Sequence, residues 1–211
     1  ITGHKILERY GMTETNMNAS NPLKGERKAG SVGKALKGTS IRITTIGENN
    51  LSGINELGMI EIKGPNVFTG YLNKPEKTKE AFTNDEYFIT GDMGYFDKEG
   101  YLFISGRNKD LIISGGYNVY PKEIEDIINQ FDGIIESAVF GLSDDDLGEI
   151  PTAAIVANEN NFNLDDLKKF IQENLARYKV PKKYFLISEL PRNVMGKVQK
   201  NILKDQYSLL I

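Results

Sequence analysis

The first group of residues that could do chemistry lies near the start of the chain, in the span Glu8-Arg9-Tyr10-Gly11-Met12-Thr13-Glu14-Thr15. An aromatic ring can stack on a base, a glycine and hydroxyls allow close approach to phosphate, and a carboxylate can hold Mg²⁺. This short span contains all of these groups. The alternative interpretation, which composition alone favours, is the polar end of a strand.

Two more groups follow along the chain. Residues 87–92 form an apolar run that ends in Gly91-Asp92, and one carboxylate can accept hydrogen bonds from vicinal sugar hydroxyls. Residues 106–125 contain Arg107 and Lys109, which could act on phosphate or ribose, and then Gly115-Gly116, which would let backbone approach a ligand closely. The alternatives are a turn aspartate and a charged linker that leads into a hairpin and a helix.

The fourth group is the span from Leu190 to Lys200, in which Lys197 follows Gly196 in a loop that begins with Pro191. This setting predicts an exposed and mobile lysine. A mobile ammonium group is suited to neutralise the charge that develops in phosphoryl or acyl-phosphate chemistry. The alternative is a solvated surface lysine.

The elements that must position these groups change in character along the chain. In the first half, apolar alternation, turn residues and Pro75 predict strands and one short helix. These are strands over 40–46 and 58–63, a helix over 75–82, and a hairpin of 95–96 with 101–104. We therefore expect a small antiparallel, barrel-like or sandwich-like subdomain in residues 1–107.

In the second half, strand and helix patterns alternate, which predicts a compact α+β domain over residues 108–211. The predicted strands cover 111–113, 137–141, 152–157 and 183–187, and the predicted helices begin near Pro121 and span 164–178 and 201–207. The overall fold class expected is thus α+β.

Composition excludes several kinds of function. The 26 Lys and Arg residues nearly balance the 29 Asp and Glu residues, so no nucleic-acid partner is expected. The absence of cysteine excludes disulfides, thiolate zinc sites and a cysteine nucleophile, and a single histidine argues against a Ser/His/Asp triad. Without a long apolar run or a signal peptide, we expect a cytoplasmic protein with no membrane span. The start at Ile1, without methionine, suggests a fragment.

In their order and spacing, the four groups resemble the C-terminal part of the adenylate-forming enzymes: acyl-CoA synthetases, peptide-synthetase adenylation domains and firefly luciferase. The resemblance covers essentially the whole chain. It implies an AMP-forming acid–thiol ligase that uses ATP, Mg²⁺ and coenzyme A to make acyl-CoA through an acyl-adenylate. It also implies that residues 1–107 end the large N-terminal AMP-binding domain, and that residues 108–211 form its mobile C-terminal lid. Because the family's phosphate-gripping Ser/Thr/Gly-rich loop is absent, the chain alone is expected to be inactive.

The resemblance implies a role for individual residues. Tyr10 would stack on adenine, Thr13 contact phosphate, Asp92 bind the ribose hydroxyls, and Lys197 drive adenylation. The full set is catalytic Lys197, Glu14 and Thr13, with Glu14 also holding the metal; nucleotide-binding Tyr10, Gly11, Asp92 and Arg107; the hinge residue Lys109; and a coenzyme A tunnel at Gly115, Gly116 and Tyr117.

The substrate is predicted from Arg9 and Met12, which border the acyl pocket by resemblance. The family commonly has a small residue at the position of Arg9, and a buried guanidinium is costly unless it meets an anion. A dicarboxylic acid is therefore expected, and residues 8–18, 64–68 and 195–201 look most like malonyl-CoA synthetases. The alternatives are a structural pairing of Arg9 with Glu8, a fatty or short-chain acyl-CoA synthetase, an amino-acid adenylation module, a luciferase-like oxygenase, and a non-enzymatic fragment.

Residues 191–197 also fit the Pro-x4-Gly-Lys pattern at which related synthetases are acetylated. The resemblance therefore implies a lysine acetyltransferase and deacetylase as partners that act on Lys197. Acetylation would remove the positive charge that adenylation needs.

Overall fold

The computed structural model describes residue 3 and residues 6–45, 50–158 and 162–208. The chain divides into two compact units, Ile1–Asn108 and Lys109–Ile211, each with its own β-structure and buried apolar residues. That these units are the two domains of the adenylate-forming enzymes, with a break at 107/108, stays a prediction.

The first unit contains two antiparallel sheets. One has the order β1-β2-β3, formed by β1 (Arg9–Met12), β2 (Asn16–Ser20) and β3 (Lys34–Ala35). The other has the order β4-β5-β6-β7, formed by β4 (Ser40–Thr44), β5 (Gly58–Lys63), β6 (Phe88–Phe96) and β7 (Leu102–Arg107), with helix α1 (Pro75–Glu80) before β6. Tyr10 and Ala19 of the smaller sheet join Ile43, Ile60, Ile62 and Leu102 of the larger one in a shared core.

The barrel-like closure expected for this unit is not confirmed. Among the described residues both sheets are open, because β4 and β7 lie at opposite edges of the larger sheet and do not pair. A single bridge between Gly33 and Leu102 connects the segment before β3 to β7. Gly33 has a φ of +89°, and a Cβ there would lie 1.9 Å from the carbonyl carbon of Ser20, so the close approach of this segment to the end of β2 requires a glycine.

The second unit is one sheet covered by helices on both faces. Its strands are β8 (Ile112–Ser114), β9 (Tyr117–Val119), β10 (Ile134–Asp144), β11 (Gly148–Ala157) and β12 (Lys183–Leu186), in the order β10-β11-β8-β9 with β12 parallel to β11. Its helices are α2 (Pro121–Ile128), α3 (Leu164–Asn174) and α4 (Lys200–Ser208).

The alternation of β10 and β11 explains this layering. Val139 and Ile155 point into the core that contains the apolar residues of α2 and α3, such as Ile124 and Leu167. The next residues along each strand, including Phe140 and Ala154, belong to a second core with Leu203 and Tyr207 of α4. Because successive strand residues face opposite sides of the sheet, β10 and β11 contribute side chains to both cores. A mixed fold of helices and antiparallel sheets is thus confirmed.

Several predicted boundaries differ from the structure. The strand predicted over 40–46 ends at Thr44, and Ile46 lies outside the described residues. Helix α3 ends at Asn174 rather than 178, because Leu175 adopts extended backbone, with φ −127° and ψ 148°, and packs against the core. Strands β1, β2, β3 and β9 were not predicted as elements. No helix among the described residues has both the length and the apolar character that crossing a bilayer requires.

Candidate functional site

A bulge in β6 places the Asp92 carboxylate. Met59 pairs with Met93 and Glu61 with Ile89, so β6 accommodates extra residues opposite Ile60. Within this bulge the Thr90 hydroxyl donates to the Ile60 carbonyl at 2.8 Å and accepts from the Asp92 N–H at 3.0 Å. Gly91 between them has a φ of +75°, a conformation that favours glycine. Bulges redirect side chains in this way, and here the Ile-Thr-Gly-Asp sequence turns Asp92 toward β1.

Three predicted nucleotide-binding residues meet at this carboxylate. The Tyr10 hydroxyl donates to Asp92 Oδ2 at 2.6 Å, and Arg107 Nε lies 3.0 Å from Asp92 Oδ1. Asp92 and Arg107 are direct partners across β6 and β7. The Asp92 side chain is 8% exposed, so its charge is stabilised mainly by these two donors. A carboxylate has about four acceptor positions, which leaves capacity for further hydroxyl donors.

The Tyr10 ring is more deeply buried than we expect for a ring that stacks on adenine. It is 8% exposed and belongs to the core of the first unit. Burial, and then the neighbouring Asp92 carboxylate, raise the pKa of Tyr10 far above its usual value, so its hydroxyl remains a hydrogen-bond donor. Its observed role is to hold Asp92. Stacking on adenine stays a prediction.

The hairpin between β1 and β2 carries Thr13 and Glu14 at its tip. Phe68 N–H donates to the Glu14 carbonyl at 2.8 Å, and the Tyr71 hydroxyl donates to Glu14 Oε1 at 3.1 Å. Burial and this hydrogen bond raise the pKa of Tyr71. Thr13 is exposed, whereas Thr15 is fully buried. The segment 66–71 therefore fixes the tip from outside the hairpin.

Asn66 is the second anchor of this hairpin. Its side-chain amide donates to the Thr15 carbonyl at 2.7 Å and to Asn18 Oδ1 at 3.1 Å, and the Asn18 amide donates to the Thr15 hydroxyl at 2.7 Å. Sequence reasoning missed Asn66, Tyr71 and Asn18 as contributors to the site. The nearest signal in the sequence is the span 64–68, which points to the family by resemblance and not to this contact.

The position of Glu14 is compatible with a metal ion that is held jointly by the protein and a bound nucleotide. No group of three or more potential His, Cys, Asp or Glu ligands lies together in the described part of the chain. Mg²⁺ in phosphate-transfer sites is usually held by one or two carboxylates together with phosphates and water. A single carboxylate at a fixed hairpin tip suits that arrangement and does not suit a metal held entirely by protein groups.

The predicted substrate residues flank Tyr10 on β1. Arg9 is exposed in this chain, so its burial supplies no argument for an anionic substrate. Met12 is partly buried and pairs with Asn16. Between them, a Cβ on Gly11 would lie 2.1 Å from the Asn16 carbonyl oxygen, so glycine is required for the close approach of β1 and β2.

Lys197 lies in the second unit, at the end of a tightly bonded turn. Asn193 Oδ1 accepts from the N–H groups of Met195 and Lys197, both at 3.0 Å, and Asn193 N–H donates to the Lys197 carbonyl at 2.9 Å. Arg192 donates to the Gly196 carbonyl at 2.6 Å and forms an ion pair with Glu136. The Lys197 side chain is exposed and makes no ion pair with any residue that the structure describes. Its mobility stays a prediction.

For the other predicted site residues of the second unit, the structure gives the position of each residue but does not test its role. Lys109 lies in the 3-10 turn Asn108–Asp110, where the two units join along the chain. Gly115 and Gly116, with φ values of +57° and +82°, form the two-residue turn between β8 and β9. Tyr117 follows, 58% exposed and stacked on Tyr178 with ring centroids 4.6 Å apart. These roles remain predictions.

The motif residue Glu125 has a structural role that the sequence did not indicate. Its Oε1 accepts from the Val139 N–H at 2.8 Å and lies 2.6 Å from Lys200 Nζ. The pair joins α2, β10 and the start of α4. It therefore anchors the chain just after the turn that carries Lys197.

Comparison with known proteins identifies the family of the chain. The AMP-binding enzyme family profile matches residues 1–72, and the AMP-binding enzyme C-terminal domain profile matches residues 123–197. The chain is 44% identical over 216 residues to malonate–CoA ligase from Arabidopsis thaliana, covering 97% of this chain and 35% of that protein. It is 40% identical over 209 residues to a long-chain-fatty-acid–CoA ligase from Mycobacterium tuberculosis, covering 98% of this chain and 41% of that protein.

A solved structure shows the same fold. The ATP-bound crystal structure of MatB from Rhodopseudomonas palustris is 50% identical, with a TM-score of 0.94, and the match covers 99% of this chain and 42% of that one. The matching family profiles and the shared fold thus define a member of the adenylate-forming class. The chain belongs to the AMP-binding enzyme family and carries parts of both of its family domains. It spans about two fifths, or less, of the length of the relatives it matches.

Proposed function

We propose that this chain is the C-terminal part of an ATP-dependent acid–CoA ligase, an AMP-forming acid–thiol ligase. The observation that carries the proposal is that Tyr10 and Arg107 both contact the carboxylate of Asp92, the residue proposed to bind the ribose. Tyr10 and Asp92 are 82 positions apart in the sequence, so it is the fold that brings them together. The CoA-ligase names of the relatives support the same conclusion. The proposed substrates and cofactors are a carboxylic acid, ATP, Mg²⁺ and coenzyme A.

In the proposed first step, a carboxylate oxygen of the acid bonds to the α-phosphorus of ATP, and the bond to pyrophosphate breaks. Asp92 would orient the ribose, Arg107 would support ribose or phosphate, Thr13 would contact phosphate, and Glu14 would help to hold Mg²⁺, which neutralises phosphate charge. The Lys197 ammonium would reduce the repulsion between the two anionic reactants. One preorganised charge of this kind contributes about 10²–10³ in rate.

In the proposed second step, the thiol of coenzyme A bonds to the acyl carbon and AMP leaves. This step does not need the ammonium group of Lys197. We propose that rotation at Lys109 exchanges Lys197 for the segment Gly115-Gly116-Tyr117, which would border the thiol. Hinges of this kind are a few residues at the ends of elements. The exposed Lys197 would also be accessible to an acetyltransferase and a deacetylase, and acetylation would stop the first step. A cytoplasmic location stays a prediction.

We further propose malonate or a related short dicarboxylate as the acid. On β1, Arg9 faces the side opposite to the buried Tyr10, so its guanidinium is free to meet a carboxylate bidentately. The name of the Arabidopsis relative supports this substrate, whereas the mycobacterial relative supports a fatty acid as the second candidate.

The test is pyrophosphate release by the full-length polypeptide with malonate, acetate and octanoate. We expect malonate to be preferred, and Arg9→Leu to lower kcat/KM for malonate about ten-fold or more, since a hydrogen bond to a charged group is worth about 1.5–3 kcal/mol. The control Arg9→Lys keeps the charge and should lose less. Equal turnover of the three acids would exclude Arg9 from the acyl pocket. An assay with carrier-protein thiols in place of coenzyme A would detect an amino-acid adenylation module.

A further inference from the structure

The Glu14 carboxylate is oriented by a residue outside every motif of the sequence. Glu14 lies at a hairpin tip, where a side chain ordinarily samples several rotamers. Here its backbone carbonyl accepts from the Phe68 N–H, and its Oε1 accepts from the Tyr71 hydroxyl at 3.1 Å. Both donors come from one segment, which precedes α1. Glu14 is therefore held at its backbone and at its carboxylate by the same piece of chain.

Tyr71 is itself held in place. Its N–H donates to the Thr78 hydroxyl at 2.9 Å, and that hydroxyl donates to the Lys74 carbonyl at 2.9 Å. Its ring packs against Phe68 in a T-shaped arrangement with centroids 4.9 Å apart, and Lys77 Nζ lies 4.5 Å from its ring centroid. A ring fixed on several sides presents its hydroxyl in one direction. Tyr71 thus has the properties of a support rather than of a surface side chain.

We propose that Tyr71 is a positioning residue for Glu14: its hydroxyl occupies one carboxylate oxygen, which leaves the other oxygen for the divalent cation that enters with the nucleotide. This inference rests on the proposed function and adds a residue to it. Groups that hydrogen-bond a metal-binding carboxylate set its orientation, and their loss commonly costs about 10–100-fold in metal affinity or activity. Tyr71 does not touch the substrates in this proposal; it acts through Glu14.

The experiment compares Tyr71→Phe with the unchanged full-length polypeptide. Binding of ATP is measured by calorimetry in EDTA and over a series of Mg²⁺ concentrations, and pyrophosphate release is measured over the same series. We expect the Mg²⁺ concentration for half-maximal effect to rise about ten-fold or more, with ATP affinity in EDTA unchanged. Combining Tyr71→Phe with Glu14→Gln should cost less than the sum of the single changes, because the two residues act as one unit.

The matched control is Tyr101→Phe. Tyr101 also carries lysines over its ring, with Lys28 and Lys34 at 5.2 and 4.7 Å from the centroid, but it lies outside the proposed site. This control should leave both the Mg²⁺ dependence and the ATP affinity unchanged. A second measurement replaces Tyr71 with 3-fluorotyrosine and follows its fluorine resonance, which should shift when Mg²⁺ is added to the ATP complex.

The inference would be overturned if Tyr71→Phe left the Mg²⁺ dependence unchanged. It would also fail if ATP affinity in EDTA and in Mg²⁺ fell equally, since that pattern indicates a packing role. If Tyr71→Phe does not fold, a fluorine resonance that does not move in the labelled protein would overturn the inference instead. Failure of the proposed function looks different: the unchanged polypeptide would then release no pyrophosphate with any acid.

Discussion

Asp92 is the residue on which the site depends most. Its carboxylate is nearly buried, and a buried carboxylate is costly unless donors surround it. Tyr10 and Arg107 supply those donors from β1 and β7. They also limit the rotamers of Asp92, which fixes the directions in which a ligand hydroxyl can approach.

Tyr10→Phe removes one of these donors without changing the size of the ring. We expect it to lower the free energy of unfolding by about 1–3 kcal/mol, because a buried carboxylate oxygen loses its partner. ATP affinity should fall as well. Urea denaturation and calorimetry measure the two effects.

The control for this variant is Tyr95→Phe, in which the ring stacks on Phe103 with centroids 5.1 Å apart. Away from such buried hydrogen bonds, substitutions usually change stability by less than about 0.5 kcal/mol. Equal effects of the two variants would contradict the role assigned to the Tyr10 hydroxyl.

At the residue level, the sequence did not predict how the candidate nucleotide-binding residues contact one another. Tyr10, Asp92 and Arg107 were all predicted to bind nucleotide, yet their mutual hydrogen bonds were not. Contacts between residues so far apart depend on strand register, and here a bulge in β6 shifts that register. The supporting residues Asn66 and Tyr71 were missed because an isolated amide or phenol in a loop carries no pattern.

At the level of elements, prediction succeeded where apolar residues follow a strand or helix period, or where a proline marks the start of a helix. The strands β4, β5 and β11 and the helices α1, α2 and α4 were predicted within a few residues of their observed bounds. Strands β1 and β2 were missed because only Tyr10, Asn18 and Ala19 are buried in them, and the polar residues between leave no period of two. Their pairing depends instead on Gly11 and on the Asn66 hydrogen bonds.

The turn that carries Lys197 is the element whose integrity should affect catalysis without affecting stability. Asn193→Ala removes the acceptor for two backbone N–H groups, so Lys197 would sample more conformations. We expect the rate of pyrophosphate release to fall about ten-fold, in line with losses that follow from misplaced catalytic groups. The melting temperature should hardly change, because the turn is exposed.

Asn193→Ser is the matched control, since a serine hydroxyl can accept the same turn hydrogen bonds, though more weakly. It should recover a large part of the rate. The proposed role of the turn would be wrong if alanine and serine had the same effect, or if both variants lowered thioester formation as strongly as adenylation.

At the level of the whole molecule, the predicted functional residues are divided between two units. Tyr10, Asp92 and Arg107 belong to the first, whereas Lys197 and Tyr117 belong to the second. Each unit has its own core, as independent domains do. Sequence patterns predicted the change from β-rich to mixed structure. They could not predict whether the first unit closes into a barrel, because closure depends on which edge strands pair.

Lys109→Pro tests whether the junction between the units acts as a hinge. Proline fixes φ near −65° and would restrict the backbone rotation proposed for this residue. We expect adenylation to remain near normal and thioester formation from a supplied acyl-adenylate to be largely lost. The two half-reactions are measured separately in the full-length polypeptide.

Lys109→Ala is the control, because it removes the ammonium group but leaves the backbone free to rotate. It should preserve both half-reactions. Loss of both steps in the alanine variant would assign the effect to the side chain and contradict the hinge.

The most direct measurement is the same pair of half-reactions in Lys197→Ala. Pyrophosphate release should fall by about 10²–10³, while thioester formation from preformed acyl-adenylate should stay within about two-fold of normal, because an interaction used in one transition state affects that step alone. Lys169→Ala, which removes an exposed lysine paired with Asp166, should change neither step. Normal pyrophosphate release by Lys197→Ala would contradict the account.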